Sequence, residues 1–259
     1  MRNTGLLLLV FSLALPSIQA QAPLRPLPNE AFKKGEILVF RVHYGFIDAG
    51  EAVLEVKDEE KFLGPNRVYH ISGKGQSKGA FDWFFKVRDL YETYIDEQAI
   101  VPWVFTRRVD EGGYRFNQNY IFNPYKNTVR DRDTVISTPP GIQDMLSAFY
   151  YARCIDYSSF KEGDVLSMSG FVDGKVVPLK IRYIGKEILE TDLGKFHCLK
   201  FRPVVITGRI FKHEEDLNVW VTEDKNHIPI RAEAEILVGS IKMDLTGYSG
   251  LTNPVSKAE

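Results

Sequence analysis

The sequence predicts an all-β fold: a strongly curved antiparallel sheet or partly closed β-barrel, with one short amphipathic helix packed against it. Apolar and polar residues alternate with a period of two through most of the chain. Turn residues separate these runs at short intervals, and only one stretch has helical spacing. Because the connections are short, neighbouring strands are expected to pair antiparallel, and closure would hide the sheet edges.

The alternation is clearest in GEILVFRVHYGFIDAGEAVLEV, residues 35–56. Gly45, Asp48 and Gly50 favour a tight turn in its middle, because they tolerate positive φ or bond their own backbone. This segment is therefore expected to form two half-buried strands. Similar runs continue along the chain and indicate roughly twelve to fourteen strands.

The N-terminus, residues 1–22, has the pattern of a secretory signal peptide, in which Arg2 precedes an apolar run that ends at Pro16. We predict cleavage after Ala20 or Ala22. A membrane anchor is the alternative, but the apolar run is about half the ~20 residues that a spanning helix needs. We therefore expect an exported protein without a transmembrane span, in the periplasm or alternatively outside the cell.

The rest of the chain reads as one domain. Three prolines in residues 23–34 indicate an extended leader outside the core. Residues 35–252 are expected to form a single β domain, since no long linker interrupts them. Two halves, 35–137 and 157–252, are candidate subdivisions, joined through the helix predicted at 141–153.

That helix lies in TPPGIQDMLSAFYYARC, residues 138–154. Prolines precede it, as is common at a first helical turn. Its apolar residues have helical spacing and predict a face that packs on the sheet: Ile142, Met145, Leu146, Phe149 and Ala152.

Composition excludes one class of partner and leaves the cysteines open. The net charge is −1 and the chain has no basic block, so we expect no nucleic-acid partner. The two cysteines, Cys154 and Cys198, are a candidate disulfide if the protein is exported. Two buried thiols are the alternative, because a domain of this size needs no covalent staple.

An aromatic run occupies residues 78–96, and strand periodicity would place Phe81, Trp83 and Phe85 on one face. One interpretation is a wall that lines a ligand cavity in the curved sheet. The other is plain core, filled by the helix, because aromatic strand faces mostly pack cores.

The sequence offers no catalytic motif, and we assign no catalytic, cofactor-binding or metal-binding residues. His43 and His70, on strands expected to be neighbours, would allow a metal site, but further ligands at metal-site spacing are missing. Carboxylates gather near one turn and could serve a hydrolase only if two of them faced a cleft; a solvated surface is the simpler interpretation. They are Glu214, Glu215, Asp216, Glu223 and Asp224.

Several segments together resemble an exported bacterial family known as domain of unknown function 3108. They are GEILVFRVHYGFIDAGEAVLEV, GAFDWFFKVRDLYETY, DMLSAFYYAR, TDLGKFHCLKFRP, LNVWVTEDKNHIPIR and VGSI, in family order. The resemblance implies a mostly antiparallel β protein of the Gram-negative envelope with no established reaction and no catalytic residues to carry over. The piece VWVTEDKNHIPIRAEAEI is also similar to a late hairpin of periplasmic lipoprotein carriers, which are curved sheets that hold acyl chains.

These observations favour a non-catalytic periplasmic protein that binds an amphipathic envelope ligand or partner, a lipid, a glycan or an envelope protein, without a cofactor. A structural or assembly factor that acts by surface contacts is the first alternative. A hydrolase of envelope polymers that uses paired carboxylates is the second. Fold class alone does not decide among them.

Overall fold

The computed structural model describes residues 23–204, 216–235 and 240–259. The predicted signal peptide, with Ala20 and Ala22, lies outside these residues, as do Glu214 and Glu215. No helix in the described ranges is long and apolar enough to cross a lipid bilayer.

Two helices and fifteen strands make up the described chain. Strands β1 to β5 are Ile37–Tyr44, Ile47–Val56, Lys61–Leu63, Asn66–Ser77 and Arg88–Asp96. Strands β6 to β10 are Pro102–Glu111, Tyr114–Asn123, Thr128–Asp131, Thr134–Ser137 and Val165–Val172. Strands β11 to β15 are Lys175–Thr191, Gly194–Pro203, Leu217–Thr222, Pro229–Glu235 and Ser240–Ser249. The helices are α1, Gly79–Phe84, and α2, Met145–Arg153.

All fifteen strands belong to one antiparallel sheet, which confirms the predicted fold class. Its order is β10-β11-β12-β13-β14-β15-β1-β2-β4-β5-β6-β7-β8-β9, with β3 paired to β4. The chain therefore forms meanders whose first and last strands, β1 and β15, meet in the middle. The two edge strands, β9 and β10, are consecutive in the chain, and α2 lies in the connection between them.

The sheet curls until its two ends touch through side chains, although no ladder of hydrogen bonds closes it. Phe171 of β10 packs edge-on against Tyr120 of β7, with ring centroids 4.8 Å apart. The Tyr120 hydroxyl accepts a hydrogen bond of 2.8 Å from the backbone N–H of Gly174, in the β10–β11 turn. Packing of this kind brings β10 into one core cluster with β6, β7 and β8.

The first hairpin forms as its alternation predicts. Leu38 and Phe40 are fully buried on the concave side, and they join the core cluster with Trp220 and Ile230 from the other half of the chain. Burial of one strand face in this way fixes the register, because a slip by one residue would expose that face.

The leader is a correction to the sequence analysis. We expected residues 23–34 to stay outside the core, but Ala31 and Phe32 are 1% and 2% exposed. Phe32 packs edge-on against Tyr150 of α2 at 4.8 Å. The prolines of the leader make it extended without keeping it from the core, since an extended segment can still bury its apolar side chains.

Candidate functional site

Helix α2 is fixed at its N-terminus by a fully buried cap. The Asp144 carboxylate accepts hydrogen bonds of 2.8 Å from the backbone N–H groups of Leu146 and Ser147. The Ser147 hydroxyl accepts one of 2.7 Å from the Asp144 N–H, which completes a capping box. Thr93 of β5 donates a further bond of 2.6 Å to the same carboxylate, so the cap also ties α2 to the sheet.

Burial has a cost for this cap. It raises the pKa of Asp144 to about 6, and the hydrogen bonds from Thr93, Ser147 and Leu146 only partly oppose that rise.

The C-terminal end of α2 is fixed by a buried ion pair. Arg153 donates to both carboxylate oxygens of Glu36, at 2.6 and 2.8 Å. It also donates to the backbone carbonyls of Asn226, at 2.9 Å, and Ala31, at 3.3 Å. The guanidinium is 2% exposed and the carboxylate 0% exposed, so each charge depends on the other for compensation.

The two fixed ends determine the rotation of α2 about its axis, and therefore which of its side chains are buried. Its fully buried residues are Ser147, Tyr150 and Arg153. The predicted apolar face instead contributes Met145, Phe149 and Ala152 to the wall of a cavity of about 430 Å³, together with Ala148. The helix predicted at 141–153 is present but begins at Met145. Of its predicted apolar face, Ile142 belongs to a core cluster and Phe149 also packs against one, whereas Met145 and Ala152 face the cavity.

The opposite wall of this apolar cavity comes from the inner faces of β10, β11, β12 and β13 and their ends. Its side chains are almost all aliphatic or aromatic: Met168, Val172, Leu179, Ile181, Phe201, Pro203, Val204, Leu217, Val219 and Val221. The remaining lining residues are Tyr157, Arg153, Lys180 and His227. Such a surface attracts apolar ligands and offers little to a polar one.

The polar residues of the cavity are mostly committed elsewhere. Lys180 is exposed to solvent, and Arg153 is paired with Glu36. The Tyr157 hydroxyl donates 2.7 Å to the carbonyl of Ala152. His227 Nδ1 lies 2.8 Å from the carbonyl of Arg153, so Nδ1 is the donor and Nε2 is the acceptor of a neutral ring. Burial lowers the pKa of His227, which favours that neutral form.

A second cavity of about 830 Å³, the polar pocket, lies on the far side of these residues. It shares Arg153, Tyr157 and His227 with the apolar cavity. Its other walls come from the leader, from the segment that follows α2, from β11 and β12, and from the β13–β14 turn. They include charged residues of both signs: Glu30, Asp156, Lys186, Glu223, Asp224 and Lys225.

The aromatic run is the main correction at the level of the site. Phe81 and Trp83 lie in α1 and Phe85 caps it, so they do not share a strand face. None of the three lines the apolar cavity; Trp83 is 83% exposed. The local reason is a set of polar bonds: Ser77 donates 2.5 Å to Asp82, which also accepts 2.7 Å from Arg88.

The two cysteines are not joined. Both are free thiols. Cys198 belongs to the core cluster around Leu38 and Phe40, whereas Cys154 packs against the cluster around Phe32 and Tyr150. Of the alternatives that the sequence left open, the structure has the two separate thiols.

The histidines and carboxylates do not converge. His43 on β1 and His70 on β4 are separated by β2, contrary to the expectation that their strands are neighbours. His43 contacts Asp244 at 2.8 Å, and His70 contacts Glu59 at 2.8 Å. Within the described ranges, no group of three or more His, Cys, Asp or Glu residues could hold a metal ion.

Of the acidic group, Asp224 has a structural role. One of its oxygens accepts the backbone N–H of Asn226 at 2.8 Å, and the other accepts that of Ser256 at 2.8 Å. Glu223 pairs with Lys186. Asp224 therefore holds the β13–β14 turn and the C-terminal segment in place, and Glu223 links that turn to β11.

Sequence analysis recognised Met145, Phe149 and Ala152 as an apolar face but identified neither the cavity that they line nor the strand residues that face them. Ala148 and Ala152, one helical turn apart, leave space beside α2 because methyl side chains cannot reach the facing strands. This pair of small residues on an apolar face was the available signal. The strand residues on the opposite wall could not be told apart from core residues in the sequence. Period-two alternation predicts that a strand face is buried, but not whether it contacts side chains or a cavity.

The comparison with family models decides the family. The model described as "Protein of unknown function (DUF3108)" matches residues 39–246. The chain belongs to the DUF3108 family. The comparison with curated proteins gives no match for this DUF3108 protein.

Among solved structures, a β-barrel-like protein of the domain of unknown function DUF1849 from Brucella abortus is similar, with a TM-score of 0.56 and 10% identity over 85% of this chain and 98% of that one. A DUF1089 family protein from Pseudomonas aeruginosa has a TM-score of 0.39 and 7% identity over 69% and 87% of the two chains. The lipoprotein LppX of Mycobacterium tuberculosis has a TM-score of 0.19 and 17% identity over 87% and 90%. The Brucella protein and this chain share a fold, and a shared fold does not assign a function.

Proposed function

We propose that this DUF3108 protein is exported to the periplasm and binds an amphipathic envelope lipid there without catalysis, holding its apolar chain in the cavity beside α2. The observation that carries the proposal is the cavity itself: about 430 Å³ lined almost wholly by apolar side chains. Ligand cavities in proteins span roughly 300–1,000 Å³, so the volume suits a lipid chain.

The fixed position of α2 supports a binding function. A helix that could move inward would fill the space and bury Met145 and Phe149, because an empty apolar cavity forgoes dispersion contacts. The cap at Asp144 and the ion pair at Arg153 fix the position of α2 against the sheet. The cavity is thus preformed, and a ligand would not have to pay for opening it.

Export is supported by the sequence pattern of residues 1–22, with cleavage after Ala20 or Ala22. N-terminal sequencing of the protein from the envelope fraction would test it. An uncut N-terminus in the cytosol would contradict this part of the proposal.

The cavity is tested by filling it. Ala148→Trp on the cavity face of α2 places an indole where the chain of a lipid would lie. We expect saturable uptake of the fluorescent probe N-phenyl-1-naphthylamine by the unmodified protein and a loss of roughly tenfold or more in affinity in the variant, because the apolar contact area is taken. The matched control is Ala80→Trp, on the exposed part of α1 and outside the cavity.

Absence of saturable probe uptake by the unmodified protein, or equal uptake by Ala148→Trp, would overturn the proposal. If the probe binds as expected, native mass spectrometry of protein purified from its own cell envelope identifies the bound lipid. The mass of that lipid should be absent from the Ala148→Trp preparation.

An assembly factor that acts by surface contacts is the second candidate, and the exposed aromatic residues of α1 favour it. Trp83 and Phe84 are 83% and 76% exposed. Large apolar side chains that lie exposed next to each other mark a surface that contacts a partner. Serine at both positions should then abolish complexes seen by crosslinking in the envelope while leaving probe uptake unchanged. Unchanged crosslinks would remove this candidate.

A further inference from the structure

The polar pocket borders the apolar cavity, and the wall between them consists of Arg153, Tyr157 and His227. Arg153 and Tyr157 are 2% and 8% exposed, whereas His227 is only partly buried. An amphipathic molecule whose chain lies in the apolar cavity would therefore have its head group beside His227, at the boundary of the polar pocket.

The charged side chains of the polar pocket already have partners within the protein, and Asp156 accepts the backbone N–H of Ser158 at 2.9 Å. Lys225 contacts Glu30 of the leader at 2.5 Å, and Lys186 contacts Glu223. The Asp224 carboxylate is saturated by backbone and side-chain donors of the turn and the C-terminal segment. An anionic head group would add a like charge beside four carboxylates, and a cationic one would meet only carboxylates that already have partners, so the pocket does not select an anion or a cation.

What the pocket offers a ligand is neutral hydrogen bonding beside aromatic surface. The lining includes the Ser158 hydroxyl, which is bonded to Asp156 and can still accept, and the His227 ring, whose Nε2 is an acceptor. Phe160 and Tyr183 also line it, with ring centroids 6.4 Å apart. Sugars combine hydroxyl groups that donate and accept with apolar C–H faces that pack on rings, and a volume of about 830 Å³ accommodates one or two of them.

We propose that the polar pocket binds the uncharged, polyhydroxylated head group of the ligand, so that the molecule held by this protein is a glycolipid. This inference rests on the proposed function, since it assigns the head of the molecule whose chain occupies the apolar cavity. It adds a second binding surface, a direction for the ligand and a chemical class.

The test compares head groups on one saturated chain. Dodecyl maltoside, dodecylphosphocholine and dodecanoate, each below its critical micelle concentration, compete with N-phenyl-1-naphthylamine for the protein. We expect dodecyl maltoside to bind roughly tenfold more tightly than the other two, because only its head group matches the paired charges and the ring faces of the pocket.

Ser158→Trp fills the polar pocket and should abolish the preference for the maltoside. Ser159→Trp is the matched control, because the adjacent serine is also exposed but does not line the pocket, and it should keep the preference. Lys186→Ala is a second pocket variant in case the tryptophan disturbs the loop. Circular dichroism and the Tm of each variant establish that it folds.

The outcomes separate the two proposals. Equal binding of the three amphiphiles, or a preference for dodecanoate or dodecylphosphocholine, would overturn the glycolipid assignment and leave the chain cavity intact. A maltoside preference that survives both Ser158→Trp and Lys186→Ala would overturn the location of the head group. Failure of every amphiphile to displace the probe, or no probe uptake at all, would overturn both.

Discussion

Two buried charges, Arg153 and Glu36, fix the C-terminal end of α2. The guanidinium has the carboxylate on one side and the carbonyls of Asn226 and Ala31 on others. It also lies 5.1 Å from the centre of the Tyr150 ring and 5.4 Å from that of Phe32. A leader residue, a strand turn and a helix end thus meet at one side chain.

Removing one partner of this pair should be costly. We expect Arg153→Met or Glu36→Gln to lower the free energy of unfolding by about 3–5 kcal/mol, because each leaves the other group buried without its partner. The double variant should cost less than the sum of the two single variants. Urea denaturation of all four proteins measures this coupling, and strict additivity would show that the two groups act independently.

Asp144 should make stability depend on pH. Its pKa is about 6 in the folded protein against an ordinary value of 3.8. Between these values the folded state holds a proton that the unfolded state has lost, so stability falls as the pH rises from about 4 through 6. Relative to Asp144→Asn, which keeps a capping side chain, the unmodified protein should lose on the order of 3 kcal/mol between pH 4 and pH 7.

Urea denaturation of both proteins between pH 4 and pH 7 measures their free energies of unfolding. Subtracting the values of Asp144→Asn from those of the unmodified protein removes the contribution of the other carboxylates. A difference that stays constant with pH would mean that Asp144 does not titrate in this window.

At the scale of the elements, β2 and β4 approach so closely that one glycine is obligatory. A Cβ on Gly50 would lie 2.4 Å from the carbonyl oxygen of Gln76, a backbone atom that cannot move aside. A Cβ on Gly75 of the same strand pair would lie 3.8 Å from its nearest neighbour, the Asp89 Cβ, which is an ordinary contact distance. The β2–β4 pair therefore offers a test and its own control.

We expect Gly50→Ala to destabilise the protein by about 1–3 kcal/mol or more, because the strands must separate to admit the methyl group. Gly75→Ala should change stability by less than about 0.5 kcal/mol. Thermal unfolding of both variants measures this, and equal Tm values would contradict the close approach of the two strands.

The two helices show what periodicity can and cannot predict about an element. Helical spacing and the preceding prolines predicted α2, and Asp144 supplies the cap that starts it. Alternation wrongly predicted a strand through Phe81, Trp83 and Phe85. A six-residue helix is too short to show a helical period. It is stabilised by the hydrogen bonds of Ser77 and Arg88 to Asp82, and the periodicity of the sequence does not show that these residues are in contact.

At the scale of the whole molecule, both thiols report on global unfolding. Burial raises the pKa of Cys154 and of Cys198 to about 12, so on the order of one thiol in ten thousand is ionised at pH 8. We expect slow reaction with Ellman's reagent in buffer, fast reaction of both thiols in concentrated urea, and no change in Tm on adding a reductant. A lower Tm in the reductant would reveal a disulfide instead.

The candidate site was less predictable than the fold, for a reason that concerns the whole molecule. Met145, Phe149 and Ala152 were recognised as one apolar face, yet their neighbours could not be known. Whether that face meets side chains or an open space depends on the curvature of the sheet and on where α2 is held. Both are set by pairs far apart in sequence, such as Arg153 with Glu36 and Phe171 with Tyr120.

The sequence by itself determined the antiparallel β class, the first hairpin, the position of α2 and the family, because each depends on local periodicity, turn residues or segment order. Tertiary structure alone decided that the leader enters the core, that α1 is a helix, that the cysteines stay apart and that two cavities meet at His227. These features depend on which distant residues come together, and a pattern of neighbours along the chain does not contain that information.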